Sequence, residues 1–259
     1  MSTVSRNPKL AAVRAQAQRL REQVCEANRG IYRARLVTVH SGNASGIARE
    51  LDLVAIKPSG VDYDSLTPEK IALVTLKGQP WPAARYGLTT AGLRPSVDLP
   101  HHLYLYRHCP EIGGIVHTHS NYATSFALLS QPIPACLTAI ADEFGGEIPC
   151  TPYVDNAGNH IGEAILRCRG RAPAMLLAHH GVFAWGPSPR DALKAAIMVE
   201  DVAHTCHLAQ LRGRCEPLPS DEIEKWYVRY HTTYGQPGAD TPGSGALRGR
   251  RRTSRPTKR

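Results

Sequence analysis

The stretch Ile115-Val116-His117-Thr118-His119-Ser120, entered through Glu111-Ile112-Gly113-Gly114, decides how the rest of the chain is read. β-branched residues behind a glycine turn predict a strand. Side chains alternate faces along a strand, so His117 and His119 project to one side, roughly 6.5 Å apart at the backbone. Imidazoles at that separation can converge on one ion at about 2.0–2.1 Å per nitrogen, the distance that zinc takes. The same pair also reads as two satisfied polar residues at a strand end, because two ligands do not define a coordination sphere.

Further ligands stand on either side of this strand. Ala174–His180 reads as a buried strand ending in His179-His180. Alternation would send these two imidazoles to opposite faces, so only one can meet the pair. Upstream, Asp98 sits where a helix is predicted to begin. Three imidazoles and one carboxylate suit zinc, with manganese, cobalt or iron as substitutes. A catalytic zinc keeps one exchangeable position for water or substrate. Spacing alone does not bring these residues together.

The 259 residues suit one large domain over residues 1–236, followed by a disordered basic tail at 237–259. Residues 248–259 hold seven Arg or Lys and no acid, so only +2 of the net charge of +9 belongs to the rest. Nucleic-acid binding is therefore expected, if anywhere, only through that tail. No apolar run nears the 18 or so residues needed to cross a bilayer, and no signal-peptide core is seen. The arginine-rich start resembles a transit peptide in composition, but Leu10, Val13, Ala17, Leu20 and Val24 fall at helical spacing, predicting an amphipathic helix over about 8–30. Seven cysteines without a Cys-x-x-Cys pair point to reduced thiols in a cytoplasmic protein.

Between these landmarks, Arg35–Val39 reads as a strand and His40–Gly46 as a polar turn. Leu51–Ile56 is a second strand, running into the turn Lys57-Pro58-Ser59-Gly60, and Ile71–Leu76 a third. Helices are predicted from Ser96 or Asp98 to Cys109, over Asn121–Leu129 and over Ile161–Arg167. Ile140–Gly146 reads as a turn or short strand. Gly181 turns the chain into Val182–Trp185, and Ser188-Pro189-Arg190-Asp191 resembles a capping box for a long helix to about Leu211. A last helix runs from Asp221 to about His231.

Five segments, in order, carry a resemblance. They are Ser41-Gly42-Asn43-Ala44-Ser45, Lys57-Pro58-Ser59-Gly60-Val61-Asp62-Tyr63, Pro95-Ser96-Val97-Asp98-Leu99-Pro100-His101-His102, Gly113–Ser120 and His180–Gly186. Over about residues 20–236 the chain resembles the family of class II sugar-phosphate aldolases, L-ribulose-5-phosphate 4-epimerases and adducin head domains. The resemblance implies an α/β fold, a three-layer α/β/α arrangement with a central mixed, largely antiparallel sheet covered by helices. It implies a homotetramer with sites between subunits, and zinc held by His117, His119, His180 and Asp98. Asn43, Ser59, Gly60 and Ser96 would hold the phosphate of a sugar phosphate, while Asp142 and Tyr234 would be the acid and base. Backbone N–H groups and hydroxyls in such turns can hold a phosphate without a lysine.

The implied reaction is retro-aldol cleavage and re-addition on a ketose phosphate, which inverts one carbon. If the aldehyde left instead, the enzyme would be an aldolase, and loss of chemistry altogether would leave an adducin-like scaffold. Asp98 favours the epimerase branch, since the aldolases usually carry glutamate there. Val97, Trp226 and Ile140 depart from the epimerase pattern and bear on the choice of sugar.

Overall fold

A computed structural model describes residues 7–235. The basic tail, with its expected disorder, lies outside the described residues. Strand β4 (Gly114–Thr118) runs through the middle of a seven-stranded sheet. Beside it lie β1 (Asn43–Ala48), then β2 (Leu53–Ile56) and β3 (Ala72–Val74) at one edge. On its other side β7 (Gly181–Gly186) is followed by β6 (Ala174–Leu177) and β5 (Cys150–Thr151). Every pairing is antiparallel except β5 with β6, so the sheet is mixed and largely antiparallel as expected.

Helices cover both faces. Against one face pack α1 (Pro8–Arg33), α3 (Asn121–Leu128) and the long α6 (Pro189–Gln210), whose apolar residues meet Ala44, Val116, Leu176 and Val182. The small helix α4 (Thr138–Phe144) and the last helix α7 (Ser220–Thr232) extend this layer. Against the opposite face, α2 (Leu99–His108) and α5 (His160–Cys168) bury Leu103, Leu105, Ile161 and Ile165 on Ile115, Met175, Phe183 and Trp185.

Local chemistry sets the ends of the long helices. Asn7 accepts from the Lys9 and Leu10 amides at the start of α1, with Pro8 at the first turn. Ser188 accepts from the Asp191 amide and donates to the Asp191 carboxylate at 2.7 Å, the capping arrangement expected for α6. Gly114 is required because a β-carbon there would lie 2.4 Å from the Ser188 carbonyl, where the turn into α6 crosses the start of β4.

Three expectations need correction. Arg35–Val39 is not a strand. Arg35 and Val39 adopt φ of +58° and +57°, which bends the chain so that Leu36 and Val37 drop into the core. The supposed polar turn after it is largely β1, because the buried Asn28 side chain bonds both the amide and the carbonyl of Ala44 and holds them in line with the sheet. Residues 138–144 form a helix rather than a turn or strand, since Ile140, Ala141 and Phe144 share one apolar face that packs inward.

Candidate metal and sugar-phosphate site

His117 occupies the last turns of β4, on the face that also carries Phe183, and His119 follows just beyond the strand end. His180 arrives by a different route from the one alternation implies. Strand β6 ends at Leu177, and Ala178, His179 and His180 form a tight turn with His179 at φ +58°. That turn, rather than strand pleating, sends His180 to the pair and His179 away. Gly181 is needed at this point, because a β-carbon would lie 2.4 Å from the Thr118 carbonyl and 2.8 Å from the His119 ring.

The three rings converge. Centroids lie 4.8 Å apart for His117 and His119, 4.9 Å for His117 and His180, and 5.2 Å for His119 and His180. One nitrogen from each falls within 4.8 Å of the other two. His117 Nδ1 donates to the Val182 carbonyl at 2.9 Å, which fixes the tautomer and leaves Nε2 with a free lone pair. That atom stands 3.0 Å from His119 Nε2. Burial lowers the pKa of all three, that of His117 to about 3. They are therefore neutral at pH 7, the form in which imidazole ligates a cation. Neutral nitrogens held this close, with one tautomer locked, fit a divalent metal of the kind imidazole prefers.

Asp98 sits at the start of α2, 9 % exposed, and borders the same cleft. Its Oδ2 accepts from Asn43 Nδ2 at 2.6 Å and from Ser96 Oγ at 3.3 Å. Burial opposes its ionisation, but His117, His102 and the Asn43 amide outweigh that and hold the carboxyl below the usual range. The tight cluster comprises the three imidazoles and does not include this carboxylate, which stands beside it.

The cleft over the imidazoles has a volume of ≈ 240 Å³. Ser59, Gly60 and Ser96 form its far wall, where the Ser96 amide donates to the Lys57 carbonyl and the Ser59 amide to that of Arg94. Asn43 lies behind this wall, tying Ser96 Oγ (3.1 Å) to Asp98. Val97, 74 % exposed, stands at the rim.

One residue escaped the sequence reading. Lys57 is 1 % exposed, yet it lines the cleft, and its Nζ donates to the His40 carbonyl at 3.1 Å and lies 4.7 Å from the Tyr63 ring centre. Burial lowers its pKa to about 8, with Asp62 opposing. Its position directly before Pro58-Ser59-Gly60 was the available signal.

Asp142 and Tyr234 do not join the cleft. Asp142 lies on α4 and Tyr234 just past α7, and the structure brings them to a common neighbour instead. Arg229 stacks 5.2 Å from the Tyr234 ring, and its charge reaches Asp142. Burial raises the Asp142 pKa against the pull of Arg229 and His231. Asp142 Oδ1 is buried without a hydrogen-bond partner among the described residues, and Tyr234 is 50 % exposed. Ile140 is core, and Trp226 donates to Glu222 on the surface of α7.

Comparison with known proteins follows the same lines. The chain is 36% identical over 234 residues to the L-ribulose-5-phosphate 4-epimerase UlaF of Salmonella paratyphi C, covering 85% of this chain and 99% of that protein. The homologue from Salmonella choleraesuis matches to the same extent. Among solved structures, an L-fuculose 1-phosphate aldolase superposes with a TM-score of 0.70 at 26% identity, over 82% of this chain and 95% of the other. YgbL of Klebsiella pneumoniae, a putative aldolase/epimerase/decarboxylase, gives 0.69 at 25% identity, over 81% and 98%. Residues 22–207 match the family described as Class II Aldolase and Adducin N-terminal domain, and the chain belongs to that family.

Proposed function

We propose that the protein is a metal-dependent L-ribulose-5-phosphate 4-epimerase working by retro-aldol cleavage and re-addition. The observation that carries this is the convergence of three neutral imidazoles beside a cleft walled by hydroxyls, glycine and one buried lysine. His117, His119 and His180, with Asp98 alongside, would hold zinc, or manganese, cobalt or iron in its place, and the bound ion supplies Lewis-acid stabilisation of charge on the ketose oxygens.

The chain's own groups do the rest. The Gly60 amide and the Ser59 hydroxyl offer donors to the phosphate beside Ser96, which Asn43 braces, and Lys57 adds a positive charge at the same end. This orients the sugar with its C3–C4 bond over the imidazoles. As that bond breaks, the C4 hydroxyl gives up its proton to one of Asp142 and Tyr234, leaving an aldehyde. Rotation of the aldehyde by half a turn presents its other face, and the second group returns the proton as the bond reforms. A carboxyl raised by burial and a phenol can both exchange protons in this way.

Asp142 and Tyr234 stand away from the cleft of their own chain, so we assign the site to the boundary between subunits of a homotetramer. There one protomer supplies the cleft and its neighbour the Asp142–Tyr234 corner. Seven free cysteines fit a cytoplasmic setting.

The test is incubation of metal-loaded protein with L-ribulose 5-phosphate, following the C4 epimer, with metal content measured in parallel. Epimer formed with stoichiometric metal supports the assignment. Likeness to the L-fuculose 1-phosphate aldolase favours a second reading, a class II aldolase. Free glycolaldehyde phosphate accumulating at the rate of turnover would select it. Protein that binds no metal and turns over neither way would select the adducin-like scaffold.

A further inference from the structure

The corner that carries Asp142 rests on a partly buried ion pair. Glu143, the next residue on α4, is 5 % exposed, and its Oε2 lies 2.7 Å from Lys194 Nζ on α6. The Lys194 ammonium stands 5.1 Å from the ring centre of Tyr230 on α7. One ion pair thus touches α4, α6 and α7 at once.

Stability alone does not call for this arrangement. Charges taken out of water cost several kcal/mol each on a general scale, and well-packed apolar residues of similar volume often serve as well or better. What an ion pair adds is direction. Successive residues on a helix are about 100° apart around its axis. Holding Glu143 towards α6 therefore fixes the rotation of α4 that turns Asp142 towards Arg229 and His231 on α7. Tyr230 carries the same constraint along α7 towards Tyr234, whose ring lies 5.0 Å from its own.

We infer that Glu143 and Lys194 are positioning residues, which set the orientation of the Asp142 carboxylate relative to Tyr234 for proton transfer. The inference rests on the reading of Asp142 and Tyr234 as the proton-transfer pair. Five variants of the full-length, metal-loaded protein test it: Lys194→Met, Lys194→Arg, the double variant Glu143→Leu/Lys194→Met, Asp142→Asn, and Lys194→Met combined with Asp142→Asn. Misplacement of a reacting group by an ångström costs on the order of 100-fold, so Lys194→Met should lower kcat by about 10–100-fold. KM and bound metal should stay at the parent level, and Lys194→Arg should recover most of kcat.

Removing both charges should restore the Tm lost in Lys194→Met, since no unpaired buried charge remains, without restoring kcat. In the Asp142→Asn background, Lys194→Met should cost little more, because residues acting through one group are not additive. Recovery of kcat together with Tm in the double variant would show a structural role only and overturn the inference. So would an unchanged kcat in Lys194→Met while Asp142→Asn is strongly impaired. Turnover at the parent level in Asp142→Asn would instead remove the proton-transfer assignment itself, and this inference with it.

Discussion

The imidazole cleft and the corner between α4 and α7 are built in opposite ways. In the cleft several functional side chains are held by other parts of the same chain, although Asn43 Oδ1 is buried without a partner among the described residues. His117 is bonded to Val182, Asn43 joins Ser96 to Asp98, and the glycine at 181 admits the rings. In the corner, Asp142 Oδ1 is buried with no partner among the described residues, and Tyr234 has aromatic and guanidinium neighbours but half its surface in water. A site that must bind a cation in fixed geometry profits from side chains braced by their neighbours, whereas groups that pass protons need a partner that arrives with the substrate. On the proposed reading, one chain carries the whole binding site and, apart from it, the groups that complete catalysis.

The largest effect should come from breaking the cleft. His119→Ala removes a ligand and should abolish bound metal and lower kcat by at least about 1,000-fold, in line with removal of a principal electrostatic stabiliser. Since His119 is only partly buried and bonds to no backbone group, its loss should leave Tm close to that of the parent. His117→Ala should lose metal equally but also lower stability by about 1–3 kcal/mol, because a buried ring packed on Phe183 and its hydrogen bond to the Val182 carbonyl are both lost. Metal analysis and thermal unfolding of the two variants separate binding from packing; equal Tm values would show that these two contacts contribute nothing.

Next in size is the corner. Tyr234→Phe and Asp142→Asn should keep metal and lower kcat by about 100–10,000-fold, the range for loss of a general acid or base. Mixing decides whether the two halves meet across a boundary. Co-assembled His119→Ala and Tyr234→Phe subunits should regain part of the turnover that each lacks alone, since one mixed boundary joins an intact cleft to an intact corner. No recovery in assemblies shown to be mixed would place both halves of each site within a single chain.

The two regions also differed in how far they could be read from the residues. His117 and His119 lie two apart where a strand ends, so their common side follows from extended backbone geometry alone. His180 joined them for a reason periodicity does not contain, a left-handed residue at 179 that turns the chain after β6. Strand β1 was hidden because Asn28, fifteen residues upstream of Asn43, holds its backbone in place through side-chain bonds to Ala44. Helix α4 spans seven residues, too few for a 3.6-residue period to declare itself, and it is helical because Ile140 and Phe144 have a core to enter. The corner depends on tertiary packing throughout, and only likeness to a family pointed to its residues.

The smallest expected effect concerns Lys57, where binding and folding pull in opposite directions. On the proposed reading its ammonium serves the phosphate end of the cleft, yet burial lowers its pKa from 10.5 to about 8. The charge is present below that pH and lost above it, so kcat/KM should fall as pH rises through about 8 while kcat changes less. Between pH 8 and 10.5 the unfolded chain binds the proton that the folded chain has shed, so this residue makes stability rise with pH over that window. Below pH 8 the charge is carried in both states and its burial counts against the fold. Lys57→Met should therefore raise KM for the sugar phosphate about tenfold and remove the alkaline fall in kcat/KM, the loss of one charge-assisted contact. The same change should raise Tm at pH 7 by about 2 °C, the trade of function against stability that a strained binding group imposes. A variant that binds substrate more weakly but melts lower would mean that the contacts of Lys57 with His40 and Tyr63 stabilise the fold more than burial of its charge opposes it.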